Sequence, residues 1–479
     1  MTKWKCVVRS ATKEDHRMRW KAMLSSVALL GLLGVWTTPA IAEVQNVKVG
    51  GDVTVRSFYR KCLDLNCTNS GGVLDARDAF LMSTTGLNVA ADLTENVSAF
   101  LRLANERDWN VAVASSSVND IALSQSYITL KELLYAPLTL RLGRQPIVWG
   151  RGFVLGSNLL PGVINGANDI HAAITANEFT DFTAFDAIRA TLDLSNVGGL
   201  NLPLVADMVY VKLNENNTGL SDDVNLLGVN LGTHFDAGKS EVETYFLNKR
   251  DKGARLTAGN NKNGSVSTLG IRGSTQPAEG AYLFGELAYQ FGRRGVDSDG
   301  ILISGDAQQA WASDLGIEYT FTHVATTPKL GWEWIFWSGK DVDGAAGGWD
   351  PIARGYFTTA LREFQTGTNA SFYPTTQPGD TAAATNQHQL AWYGSLKPIE
   401  DLVLAPRLTF FFLDAGSTRG HENKRASYAG LEWDTQLTYN YTPDVQFGVI
   451  YAVFKPGDVY RVPNNDTAQE LVTSVSVKF

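Results

Sequence analysis

Hydrophobic and polar residues alternate along almost the entire chain. Residues 311–321 put Trp311, Leu315, Ile317, Tyr319 and Phe321 on one face, with Asp314, Gly316, Glu318 and Thr320 on the other. Residues 429–441 repeat this, setting Leu431, Trp433, Leu437 and Tyr439 against Glu432, Asp434, Gln436, Thr438 and Asn440. Residues 97–106 set Leu101 and Leu103 against Arg102 and Glu106. A period of two is the signature of a pleated strand, whose successive side chains point to opposite faces. The segments run about ten residues or slightly more, longer than the five or six usual in soluble sheets and long enough to cross a hydrocarbon layer at a tilt.

The pattern predicts strands starting near 51, 77, 97, 119, 137, 184, 203, 223, 240, 265, 280, 309, 327, 386, 402, 427, 444 and 468. Their links alternate in length. Short, turn-like links fall at 92–96, 236–240, 276–280, 397–401 and 442–444. Long polar or Gly-rich ones fall around 60–75, 148–183, 214–222, 251–264, 293–308, 339–385, 415–425 and 456–467. The last strand alternates Leu471, Thr473, Val475, Val477 and Phe479, ending on an aromatic residue. A lone apolar edge of this kind would invite aggregation, and closing it onto the first strand removes the edge. The expected fold is therefore all-β: a transmembrane antiparallel up-and-down barrel with short periplasmic turns and long extracellular loops. The strand count reads as 18, with 16 as the alternative.

The N-terminus changes the picture. Arg17, Arg19 and Lys21 precede an apolar stretch from Ala22 to Trp36, and Ala40-Ile41-Ala42 is a small-x-small cleavage site. This reads as a cleaved signal peptide over 1–42 and a barrel domain over 43–479, with Met18 an alternative start. Removing the seven Lys/Arg and two acids of the signal leaves 34 basic against 47 acidic residues, a net of −13. Bulk charge therefore gives no reason to expect nucleic acid as a partner. Aromatic residues make up 10% of the chain, which excludes a disordered protein. Cys62 and Cys67, with four residues between them, read as a small loop disulfide in an oxidising compartment, two free thiols being the other possibility.

Catalytic signatures are weak. His171, His234, His323, His388 and His421 occur singly, and no HExxH or GxSxG motif is present. An outer-membrane enzyme stays open only as a triad gathered from distant loops. Asp297-Ser-Asp-Gly300 and Asp341-Val-Asp-Gly344 look like the front half of a calcium loop but lack its closing Glu. They read first as acidic turns, with loop-bound calcium as a weak possibility and no other cofactor expected.

The informative chemistry lies on the inward parity. Its basic members are Arg56, Arg102, Arg141, Arg189, Arg272, Arg407 and Lys478. Its acidic members include Asp193, Glu241, Glu243, Glu286, Asp314, Glu318, Glu333, Glu432 and Asp434. Most of the arginines fall on the first six strands and near the closing seam, and most of the acids on strands 9–13. This arrangement implies a transverse field across the pore, unless each Arg simply pairs with a neighbouring carboxylate. The links at 148–183 and 339–385 are long enough to fold over the entrance or into the lumen and shield these residues.

Residues 138–152, Leu-Thr-Leu-Arg-Leu-Gly-Arg-Gln-Pro-Ile-Val-Trp-Gly-Arg-Gly, resemble the "LxLGRQ…G" strand and loop of the alginate-export porins. Phe185-Asp-Ala-Ile-Arg-Ala-Thr-Leu-Asp-Leu194 is similar to the family's "FDGVR" strand, and Phe454-Lys-Pro-Gly-Asp-Val-Tyr460 to its C-terminal stretch. The resemblance implies an 18-stranded outer-membrane barrel of a Gram-negative bacterium. It further implies passage of an anionic polysaccharide or oligosaccharide through an Arg-lined pore, with no enzymatic activity expected. By position, Arg141, Arg144 and Arg189 carry over, Arg144 at the rim because it shares parity with Leu142. Glu286, Glu318 and Glu333 complete the expected lining. The acidic inner parity departs from the family pattern and leaves a general or small-solute porin as the alternative. Expected partners are outer-membrane lipid and lipopolysaccharide, the barrel assembly machinery and a polysaccharide secretion complex.

Overall fold

The computed structural model describes residues 46–63, 65–67, 77–109, 121–133, 137–157, 174–195, 202–214, 223–252, 264–293, 307–339, 348–364, 385–417, 426–460 and 465–479. The expected signal segment, His171, His421 and both calcium-like stretches lie outside the described residues. The strands are β1 (Asn46–Lys61), β2 (Arg77–Thr94), β3 (Val97–Asp108), β4 (Ala122–Lys131), β5 (Leu138–Gln145), β6 (Phe185–Asp193), β7 (Leu204–Asn214), β8 (Val224–Phe235) and β9 (Ser240–Asp251). They continue as β10 (Gly264–Thr275), β11 (Ala281–Arg293), β12 (Ala307–Thr320), β13 (Lys329–Trp337), β14 (Gln387–Ile399), β15 (Leu402–Ser417), β16 (Ala426–Asn440), β17 (Val445–Pro456) and β18 (Ala468–Lys478).

Every strand pairs antiparallel with its sequence neighbours, and β1 pairs with β18 to close one 18-stranded barrel. Each strand begins within five residues of the position the alternation indicates. The seam is completed by Gly51 and Phe479, which exchange backbone hydrogen bonds of 2.8 and 3.0 Å. No described helix is long and apolar enough to cross a membrane, which says nothing of the strands.

Burial is inverted relative to a soluble sheet. Trp311 and Leu330 on the outer face are 56% and 61% exposed, whereas Asp314 and Glu333 on the inner face are 1% and 0% exposed. Apolar side chains facing outward in this density suit hydrocarbon rather than water.

Two details depart from the plain period. A register shift between Arg102 and Leu103 lets both Leu123 and Ile128 of β4 face outward. Residues 109–121 link β3 and β4 at the long-link end, a long link that the sequence pattern did not single out.

Candidate functional site

The wall supplies the first layer of the site. Inward positions near the long-link end of β7–β13 include many buried apolar residues, Val209, Val211, Leu226, Leu247, Ala288, Ala310, Ile335 and Trp337, interspersed with Lys249, Gln290 and Gln308. That half of the lumen is packed with protein, and the chain segment after β5 does much of the packing.

Gln145, fully buried, ends β5 by donating its amide to the carbonyls of Arg141, Gly143 and Ala187. Pro146 then lacks a ladder donor, and the chain turns inward. The Trp149 indole donates to Asp207 at 2.8 Å, and the Gly150 N–H to Glu243 at 3.2 Å. Gly150 has φ +56°, and a Cβ there would lie 2.6 Å from Cδ of Arg272, so the position demands glycine. The Arg151 guanidinium donates to Glu333 at 2.9 Å and lies 3.4 Å from Asp314, between the rings of Phe284 and Tyr356. Phe153 stacks on Trp337.

The segment 348–364 meets this one inside the barrel. Leu155 and Ala353 form a parallel bridge, and a Cβ on Gly355 would lie 2.4 Å from the Gly156 carbonyl carbon. Lys249 of β9 binds Asp350 at 2.8 Å. Glu432 of β16 accepts the backbone N–H groups of Leu361 and Arg362 at 2.6 and 2.9 Å. Glu363, buried within the segment, pairs with Arg354 and accepts the Thr359 N–H and the Gln389 amide, each at 2.9 Å. Burial alone would push its carboxyl up; Arg354, Gln389 and the Thr358 N–H together hold it below the ordinary carboxylate value.

A third segment, 174–181, lies on β1–β4. Asp108 accepts the Thr175 N–H at 2.8 Å, and Glu106 accepts the Thr180 hydroxyl at 2.8 Å and the Asp181 N–H. Arg102 forks onto Asp181 and Asp52, and Arg60 joins Glu178 to Glu470. Phe179 packs against Phe58 and beneath Arg56.

The expected arginines therefore fall into three groups. Arg102, Arg189, Arg272 and Arg407 face inward and meet carboxylates: Asp52 and Asp181, Asp207, Glu243, and Glu333 respectively. Arg56 and Arg141 also face inward. Arg56 contacts Thr84 at 3.3 Å, Arg141 lies over the Tyr127 ring, and neither has a carboxylate in ion-pair range among the described residues. Arg144 faces outward, in a two-pronged pair with Asp186. Glu286 accepts the Tyr245 hydroxyl at 2.7 Å, and Glu318 binds Tyr393 and Lys329. Cys62 and Cys67 are joined in a disulfide, and the Cys67 N–H donates to Asp466 in the β17–β18 link. His388 faces outward, stacked on Phe336.

The basic and acidic arcs are less separate than the strand-by-strand parity suggests, because Asp52, Glu106, Asp108 and Asp207 also face inward on the first seven strands. Arg60, Arg151 and Arg354 escaped the sequence reading. Arg60 was legible, sharing parity with Arg56. Arg151 and Arg354 sit in aperiodic links, where parity says nothing.

The sequence profile of the alginate export family matches residues 69–474. No curated protein matches the sequence. Solved barrels align over nearly their whole length. Pseudomonas aeruginosa OccK9 (OpdG) matches with TM-score 0.54 at 12% identity, covering 91% of this chain and 99% of that one. P. aeruginosa OccK11 (OpdR) matches with TM-score 0.53 at 9% identity, covering 91% and 96%. A BenF-like porin from Pseudomonas fluorescens Pf-5 matches with TM-score 0.50 at 10% identity, covering 91% and 99%. At these identities the likeness is one of fold.

Proposed function

Because the chain belongs to the alginate export family, we propose that it is a passive outer-membrane channel of a Gram-negative bacterium. Its solute is an anionic polysaccharide or oligosaccharide, and it performs no catalytic step. The observation that carries this reading is the pair Arg56 and Arg141. They face the lumen with no carboxylate in direct ion-pair contact among the described residues, although Glu106, Glu178 and Asp52 act on Arg56 from farther away, while Arg102, Arg189, Arg272 and Arg407 are paired directly with acids. A cation inside a narrow, partly water-excluded lumen acts at lower effective dielectric than in bulk water and attracts passing carboxylates. On this reading the long links face the cell exterior, and the barrel assembly machinery inserts the chain. A polysaccharide secretion complex delivers the solute from the periplasm.

A general or small-solute porin is the second reading. The carboxylate pairing of the other four arginines favours it. Planar-bilayer recording separates the two. The double variant Arg56→Gln, Arg141→Gln is expected to shift the reversal potential toward cations and to weaken block by added polyuronate. Unchanged selectivity and block would leave the general-porin reading standing. Orientation is checked independently: tags near 160, 260 and 365 label on intact cells, and tags at 238 and 398 do not.

A further inference from the structure

The outer wall at the long-link end carries a rung of side chains that the channel does not use. Cross-strand register aligns Arg144, Asp186, Lys212, Asn225, Arg250, Ser265 and Arg293 as successive neighbours on β5 to β11. Each lies within three residues of its strand's long-link end. All share the outward parity of exposed neighbours such as Ile188, Tyr210, Leu227, Phe246, Leu269 and Phe291. Four are cations and one is an acid. Below this rung, toward the short turns, the outward positions of β5–β11 carry no charge at all.

The cations stand on every second strand, so neighbours are about 10 Å apart at the usual strand spacing. Asp186 holds Arg144 at 2.8 Å, and Asp223 lies 3.3 Å from Lys212. Arg250 and Arg293 are exposed and have no carboxylate in range among the described residues. The arc β13–β16 differs at the same end. There the register aligns Phe336, His388, Phe412 and Tyr428, with Phe336 stacked on His388 and Phe412 tilted against Tyr428, and no Lys or Arg among them.

We infer that the rung from Arg144 to Arg293 is a docking surface for the phosphorylated headgroup of a glycolipid in the outer leaflet. The inference rests on the outer-membrane orientation proposed above. Charge complementarity argues for it: an uncharged, lipid-facing wall gives way, at the height of its strand ends, to a row with a net excess of guanidinium and ammonium groups. Arginine forks match phosphate oxygens, and the acyl chains of the same molecule lie against the apolar face beneath. The aromatic rung on β13–β16 offers ring faces to the headgroup level, with the Asp414 carboxylate beside His388 in place of a cation, so the row of cations on β5–β11 does not continue across it.

The test uses the full barrel in detergent, with purified lipopolysaccharide as the probe. Bound glycolipid is quantified by native mass spectrometry for wild type and for Lys212→Gln, Arg250→Gln, Arg293→Gln. Removing the three charges should weaken binding about five-fold each, on the order of a hundred-fold together. The control His388→Gln, Phe412→Leu should bind as wild type does. Wild-type binding should also weaken with rising salt, as contacts between exposed charges are screened. That measurement holds even if the triple variant folds poorly. Wild-type affinity in a folded triple variant, salt-independent binding, or equal binding of dephosphorylated lipopolysaccharide or phosphatidylglycerol overturns the inference. Both variants should conduct as wild type does, so a failure of the channel reading shows in bilayer recording and not here.

Discussion

The two sides of the lumen hold their inward segments by different exchanges. Over β7–β16 the wall gives mainly acceptors and the loops give mainly donors. Asp207 takes the Trp149 indole, Glu243 the Gly150 N–H, Glu333 the Arg151 guanidinium, and Glu432 two backbone N–H groups. A large apolar cluster of Trp149, Phe153, Leu155, Trp337, Trp349 and Ile352 is buried with them. Over β1–β4 charge passes both ways: Asp108 and Glu106 accept from the segment 174–181, while Arg60 and Arg102 reach its Glu178 and Asp181. The apolar cluster there is smaller, centred on Phe58, Met82 and Ile174. A charge on the inward parity is thus not a pore charge until the links have been accounted for. The acids that make the lumen look hostile to an anion are largely occupied in holding protein.

This contrast can be broken most forcefully at Glu363. Glu363→Ala leaves Arg354 buried beside Trp337 without its carboxylate, and loss of one partner of a buried pair costs about 3–5 kcal/mol. The segment 348–364 should leave the lumen, and single-channel conductance should rise several-fold while the barrel keeps its heat-modifiable mobility on gels. A smaller effect is expected across the lumen. Glu106→Gln with Asp108→Asn weakens charge-assisted acceptors of the segment 174–181, at about 1–3 kcal/mol. Conductance should rise modestly and anion selectivity should increase as two negative groups are lost, read from the reversal potential.

Acid should sharpen the contrast with the least disturbance. Held in place, Glu363 titrates below the ordinary carboxylate value, which is roughly 4.3 for a detached segment. Its contribution is therefore complete above that ordinary value and is lost as pH falls through the lower, bound one. Conductance should stay flat from neutral pH down to about the ordinary carboxylate value and rise only below it. A rise already complete near neutral pH would assign the closure to another group.

The wall was legible in the sequence because its side chains are forced into a period of two. That period identified all eighteen strands and told outward Arg144 from inward Arg141. It says nothing about links, and half of the candidate site lives there. The motif around Gln145 to Gly152 was visible as a resemblance, but not the fact that Trp149 and Arg151 reach back to β7 and β13. Nor does parity reveal that Val211, Leu226 and Ile335 are inward yet dry, since an apolar inward residue breaks the alternation only where a loop packs on it. Those contacts join residues far apart in sequence, and no local pattern encodes them.

The seam between Gly51 and Phe479 has a consequence for how the molecule is made. One edge of β1 is met by its sequence neighbour β2, and the other is completed only by β18, far away in sequence. Until that pairing forms β1 presents an open edge, and the growing sheet has nothing to close against. Consecutive strands such as β1 and β2 meet through local links, but the closing pair joins the two ends of the strand order, the contact with the greatest loop-closure cost. A barrel of this topology is expected to close late in folding, at the single pair that spans nearly the whole sequence.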